Sequence, residues 1–179
     1  MQKYIALLRG INVSGQKKVP MAELRQFLEK IGFDDVVTYI QSGNVVFTFD
    51  NSKKEILEDM VQSVILESFG YEVPVLIKTR EDIERILTVN PFAYNNIGEG
   101  RHLYYVLLKN ELEEELKIKF ESEIYTNEDF HITADCVYLN CKSGYGKAKL
   151  NNNLVERKLK VGATTRNHKT MQKLLELSK

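Results

Sequence analysis

Arg9, Asn12 and Lys18, followed by Gln41-Ser-Gly-Asn44, supply a planar cation, an ammonium, three side-chain amides and a hydroxyl. An arginine fork matches a carboxylate or phosphate, and amides and hydroxyls add directional hydrogen bonds. Glycine lets backbone N–H groups come close to a ligand. Asn, Ser and Gly are also ordinary turn residues, so the same set can simply hold loops together. A second set is Ser143-Gly-Tyr-Gly-Lys147 with Lys149, and then Thr164-Thr165-Arg166-Asn167 at the start of a helix. Free N–H groups at a helix start favour an anion. Gly-Tyr-Gly-Lys lacks the G-x-x-x-x-G-K-[ST] spacing, which argues against a nucleotide triphosphatase. The plainer reading is a flexible basic loop beside a capped helix.

Catalytic constellations are sparse. His102, His131 and His168 lie far apart and in no metal-ligand spacing, so no metal site is expected. Ser42 is not in a G-x-S-x-G elbow. Cys141 precedes a basic loop that would lower a thiol pKa, a slender case for a nucleophile. Cys136 and Cys141 are separated by an odd interval in a strand and its exit, which sends them to opposite faces and argues against a bridge. No cofactor is expected, and whether the protein is an enzyme stays open.

The scaffold that must position these groups is legible in residues 1–78, which read strand, helix, strand, strand, helix, strand. Lys3–Arg9 is a short apolar run. Pro20 opens a helix with an apolar stripe of Met21, Leu24, Phe27, Leu28 and Ile31, stopped by Gly32. Val36–Ile40 and Val45–Phe49 are strands joined by the Gln41–Asn44 turn. Ser52-Lys-Lys-Glu55 reads as a capping box for a helix buried through Ile56, Leu57, Met60, Val61, Val64, Ile65 and Phe69. Gly70 stops it, and Val73–Lys78 is the fourth strand. This is the ferredoxin-like, or α/β plait, order.

The second half repeats the plan. Thr79-x-x-Asp82 caps a linking helix that ends before Asn90-Pro91, and residues 93–101 read as an exposed loop. His102–Leu108 is a strand, and Asn110-x-x-Glu113 starts an acidic helix. Phe130–Thr133 and Cys136–Leu139 form a hairpin, Leu150–Leu159 a helix, and Gly162–Thr165 a short strand. Thr165 or Asn167 caps a final helix through Leu177. The expected class is therefore α+β: two tandem plait-like halves with an added C-terminal helix. The first plait takes residues 1–78, the linking helix and loop 79–101, and the second half 102–179. Tyr4–Leu8 and Leu103–Leu108 are apolar continuously, whereas a sheet covered on one face should alternate. Both faces are expected to be buried, by the other half or by a partner chain.

Charge is balanced in total, 25 basic against 25 acidic residues in 179, but segregated along the chain. Met1–Ala22 holds Lys3, Arg9, Lys17 and Lys18 and no acid. Glu111–Asp129 is strongly acidic, and Lys142–Lys169 carries Glu156 as its one acid among many basic residues. Such runs are solvated faces, or else an anion site guarded by the acidic helix. A neutral total argues against a dedicated duplex DNA binder. There is no apolar run long enough for a membrane span and no signal-peptide pattern, so a cytoplasmic protein is expected, with no membrane partner. Gly43–Phe49 is a poor match to an RNA-recognition strand.

Leu8-Arg-Gly-Ile-Asn12, Lys18-Val-Pro-Met21, Thr38-Tyr-Ile-Gln-Ser-Gly-Asn-Val-Val-Phe47 and Ala163-Thr-Thr-Arg-Asn167 resemble the signatures of domain-of-unknown-function family 1697. That family consists of uncharacterised, mainly bacterial proteins, and the resemblance covers nearly the whole chain. It implies two tandem plait-like halves and no accepted activity, so it assigns no catalytic residue. His168 stands where the family often has tryptophan, which argues against a stacking role there.

In a plait the exit of strand one and the turn between strands two and three share a sheet end. Arg9, Asn12 and the Ser14–Lys18 loop should therefore meet Gln41, Ser42 and Asn44. In the second half, Lys147 and Lys149 should approach Thr165, Arg166 and Asn167, with Lys147, Lys149 and Arg166 lining one concave surface. Three readings follow: a binder of a phosphorylated small molecule or RNA backbone, a small transferase or hydrolase on such a substrate, or a protein-interaction module with architectural loops. A monomer or weak homodimer suits all three. Because burial on both faces leaves no room for a charge, Leu8→Asp should severely lower the melting temperature in a thermal denaturation.

Overall fold

The computed structural model describes residues 1–13, 15–93 and 102–179. Ser14 and residues 94–101 of the expected linking loop lie outside the described residues. The chain begins with β1 (Gln2–Leu8), α1 (Met21–Lys30), β2 (Asp34–Tyr39), β3 (Asn44–Phe49), α2 (Lys54–Phe69), β4 (Val75–Thr79) and α3 (Arg80–Thr88). It continues with β5 (Leu103–Leu108), α4 (Glu114–Glu121), β6 (Glu128–Ile132), β7 (Cys136–Cys141), α5 (Asn152–Leu159), β8 (Ala163–Asn167) and α6 (His168–Leu177). Two four-stranded antiparallel sheets result, in the orders β2-β3-β1-β4 and β6-β7-β5-β8, each with its helices. The class is α+β. Two compact units form, one of Met1–Glu84 with Lys173–Lys179 and the other of Arg85–Gln172.

In the first unit, Tyr4, Ala6 and Leu8 point at Leu24 and Leu28 of α1 and at Leu57, Val61 and Ile65 of α2. Pro20 supplies an extended residue before α1. Gly70 closes α2 in the left-handed conformation, its N–H donating to the Leu66 carbonyl at 2.9 Å. In the second unit, Val106, Leu108, Val137 and Leu139 meet Phe120 of α4 and Val155 and Leu159 of α5. The alternate residues Ile5, Leu7, Tyr105 and Leu107 are equally buried, so both central strands are covered on both faces.

The two units repeat one backbone device. The Leu8 N–H donates to the Gly43 carbonyl (2.8 Å) and the Arg9 N–H to the Pro74 carbonyl (3.0 Å). The counterparts are Leu108 to Asp135 (2.9 Å) and Lys109 to Gly162 (2.8 Å). Each pair ties the exit of the central strand to its neighbours on both sides.

Local expectations fail where a tertiary contact intervenes. The Ser52–Glu55 capping box does not form: α2 starts after Lys53, with no side-chain cap. The Tyr4 hydroxyl holds Ser52 instead, accepting from its N–H (3.1 Å) and donating to its carbonyl (3.2 Å). Asn110 does not start α4, which begins at Glu114. At Lys109 the chain is still bonded to Gly162 and has not left the sheet. Ile31 and Ile56, expected in apolar stripes, are exposed. Ile31 is the C-cap of α1, beyond its last buried turn. On α2 the buried place goes to Glu58, whose Oε1 accepts from the Ile77 N–H at 3.0 Å. The reciprocal cap at Thr79 and Asp82 does form, with bonds of 2.8 and 3.3 Å.

Gly43 has φ of +84°, and a Cβ there would lie 2.6 Å from Leu8 Cβ and 2.9 Å from Ile11 Cδ1. Gly43→Ala combines left-handed strain with overpacking and should cost about 3 kcal/mol in a urea unfolding titration.

Candidate functional site

The first cluster forms at the sheet end where topology puts it. Asn12, held at φ +54°, is its clamp. Its Nδ2 donates to the carbonyls of Val19 and Gln41, both at 2.9 Å, and its Oδ1 accepts from the Val19 N–H at 2.9 Å. Its own N–H donates to the Lys17 carbonyl (3.2 Å), and the Gln16 N–H closes a tight turn on Val13 (2.9 Å). Lys17 Nζ reaches the Glu72 carbonyl at 2.6 Å. Asn12 thus fastens Val19 to the β2–β3 turn. Asn44 is fully buried, its Nδ2 donating to the Tyr39 carbonyl (2.9 Å) and Ser42 Oγ (3.2 Å). Asn12 and Asn44 are therefore spent on architecture. Arg9 is half-buried, while Lys18, Gln41 and Ser42 are exposed. Among the described residues, Lys18 and Gln41 make no side-chain hydrogen bond.

The second cluster is only partly assembled. Tyr145, not Lys147, joins the Ser143–Lys147 loop to β8. Its hydroxyl donates to Thr165 Oγ1 (3.3 Å) and accepts from the Asn152 N–H (3.0 Å). Thr165 Oγ1 donates onward to Asn152 Oδ1 (2.9 Å), and the Tyr145 ring stacks on Tyr104 at 4.5 Å. Lys147 and Lys149 are exposed. Arg166 does not join them: strand alternation turns it to the sheet face opposite Thr165, where it is 7 % exposed. Its Nη1 donates to Thr164 Oγ1 and the Thr165 carbonyl, each at 2.9 Å, and burial lowers its pKa to about 10. A single concave surface of Lys147, Lys149 and Arg166 is therefore not present. Asn167 Oδ1 accepts from the Thr170 N–H at 2.8 Å and caps α6. Burial, aided by Glu128, raises the Cys141 thiol to about 12, which removes the case for a nucleophile. Cys136 and Cys141 are both buried and neither is in a disulfide.

A third set was not legible in the sequence. Asn90 Nδ2 donates to the buried Tyr105 hydroxyl (2.8 Å), which also bonds His168 Nδ1 (2.7 Å). The His168 ring stacks on Tyr105 at 5.8 Å and 20°, so this position does have a stacking role, though within the protein. The available signal was Tyr105 itself: a hydroxyl inside an apolar run must find a partner. The Tyr138 hydroxyl is buried without a hydrogen-bond partner among the described residues. Among the described residues no group of three His, Cys, Asp or Glu side chains is arranged to hold a metal.

Burial holds the His168 imidazole below the ordinary histidine range. Its neutral form belongs to the folded state. The stability it contributes is fully present above pH of about 6.5 and is lost as pH falls below that value towards the depressed folded pKa. Unfolding free energy measured across this window should fall on acidification, and His168→Gln should flatten the profile.

No curated protein matches the chain. A solved structure described as a conserved bacterial protein, SP0830 from Streptococcus pneumoniae, is similar over 99% of this chain and 98% of its own. The two share 27% identity, with a TM-score of 0.76. Among the described residues, no helix is long and apolar enough to cross a membrane. The model of a protein family of unknown function, DUF1697, matches residues 1–138. The chain, with its two four-stranded sheets and the Asn12 clamp, belongs to that family.

Proposed function

We propose that this protein binds a phosphate-bearing ligand, a nucleotide-like metabolite or a nucleic-acid backbone, at the sheet end of its first unit. In this reading each unit is a ferredoxin-like plait, as the strand orders β2-β3-β1-β4 and β6-β7-β5-β8 support. The observation that carries the proposal is the Asn12 clamp, which bonds the carbonyls of Val19 and Gln41 at 2.9 Å and so ties the backbone next to Lys18 to the turn that carries the exposed Gln41 and Ser42. Arg9, Lys18, Gln41 and Ser42 would touch the ligand, and Asn12 and Asn44 would position them. The segment from Met1 to Ala22 contains no acid to oppose an anion. Lys147 and Lys149 would add a weaker, separate attraction in the second unit. The cytoplasm is the setting, supported by two cysteines that form no disulfide.

A ligand that binds the native state raises its melting temperature. A thermal-shift screen of phosphorylated metabolites and short RNA should therefore give a positive shift that shrinks with added salt. Lys18→Ala combined with Gln41→Ala should abolish the shift, while Lys147→Ala should leave most of it. No shift with any anion at low salt would instead make these loops architectural. Turnover of a shifting compound would make the protein a transferase or hydrolase.

A further inference from the structure

The corner that follows α3 is held by one buried side chain. Asn90 is 2% exposed, and its Oδ1 accepts from the Phe92 N–H at 2.9 Å. A backbone N–H can only donate, so this bond fixes which way the Asn90 amide points. Asn90 Nδ2 must then face the Tyr105 hydroxyl, 2.8 Å away, and it too can only donate. The Tyr105 oxygen therefore accepts from Asn90. Its own proton goes to His168 Nδ1 at 2.7 Å, because Tyr105 has no other hydrogen-bond partner among the described residues. His168 Nδ1 is thus bare, and the ring proton of the neutral imidazole sits on Nε2. The relay runs one way, from the Phe92 N–H through Asn90 and Tyr105 to His168.

A proton on His168 reverses its end of this relay. Both nitrogens of an imidazolium donate, so turning the ring restores no acceptor. His168 would then donate to the Tyr105 oxygen, and the Tyr105 proton would have to point back at Asn90 Oδ1. That oxygen is already taken by the Phe92 N–H, which cannot reverse. A buried donor left without an acceptor carries its full desolvation cost. The neighbouring charges do not offset it. Arg166 of β8 pairs with Tyr105 across the sheet, and Lys169 follows His168 on α6; both are cations. Tyr138 and Cys136 of β7 lie against Tyr105 and are neutral. Arg85 and Asp135, near Tyr138, form an ion pair with each other at 2.6 Å. Among the described residues, no carboxylate is paired with His168.

We propose that Asn90, Tyr105 and His168 form an acid-released latch, in which one proton taken up by His168 frees the Asn90–Phe92 corner while the sheet of the second unit stays folded. The closed corner requires neutral His168, and the opened corner accepts the proton. Closure is therefore complete above the ordinary histidine range and is lost as pH falls through it. The bonds that hold β5 to its neighbours, such as Leu108 N–H to the Asp135 carbonyl at 2.9 Å, lie outside the relay. The corner can open without them. This device belongs to the second unit and does not depend on anion binding in the first.

The test is amide hydrogen exchange of the full chain, read by NMR as protection relative to the intrinsic rate at each pH. Protection of the Phe92 amide should fall by about tenfold per pH unit below pH of about 6.5, until His168 is protonated in the closed form as well. The Leu108 amide should stay more strongly protected throughout. His168→Gln keeps an oxygen acceptor but cannot titrate, so Phe92 protection should no longer follow pH. Tyr105→Phe cuts the relay in the middle and should leave Phe92 poorly protected at every pH. The wild-type chain supplies a check that needs no variant: at pH of about 8 nitrogen NMR should find the His168 proton on Nε2. A proton on Nδ1 would overturn the relay. Equal protection of Phe92 and Leu108 at every pH would overturn the latch, because the corner would then open only with the whole unit. So would a pH dependence that persists in His168→Gln, or Phe92 protection that Tyr105→Phe leaves unchanged.

Discussion

The first unit is organised around one close approach. The β2–β3 turn lies so near the end of β1 that Gly43 has no room for a side chain, with Leu8 Cβ 2.6 Å from where one would begin. That approach lets the Leu8 N–H reach the Gly43 carbonyl at 2.8 Å. It also sets the turn beside the chain leaving β1, so Asn12 can bond the Gln41 carbonyl. Asn44, one residue beyond, is driven inside and must satisfy its amide on Tyr39 and Ser42. The polar loop ends of this unit follow from a steric fact about two backbones.

Much of this scaffold was legible because its signals are local. Pro20, Gly32 and Gly70 punctuate helices through their own backbone chemistry, and a continuous apolar run such as Tyr4–Leu8 announces burial on both faces. Signals failed where distant residues outbid local ones. Ser52 has good capping chemistry, but the Tyr4 hydroxyl holds its backbone first. Glu58 has the composition of a surface residue and is buried, because an edge N–H at Ile77 needs an acceptor.

The candidate sites divide along the same line. Topology correctly brought Asn12 to Gln41 and the Tyr145 loop to Thr165. It could not say which polar groups would be used up by the fold. Residue type makes Arg166 look like a surface cation, and one step of strand alternation hides it. Tyr105 looks like core packing, yet it anchors Asn90 and His168 from segments that sequence does not connect.

The repeated backbone device has a consequence for how the two halves can diverge. Leu8–Gly43 and Leu108–Asp135 make the same hydrogen bond, but only the first is locked by a glycine without space for a Cβ. Asp135 occupies the matching place with an ordinary side chain, joined to Arg85 by a half-exposed ion pair at 2.6 Å. Such pairs contribute at most about 1 kcal/mol. In a deep substitution library, position 43 should accept almost nothing, while position 135 should drift. At this turn the second half is therefore the freer ground for change, because no close approach of two backbones there excludes a side chain.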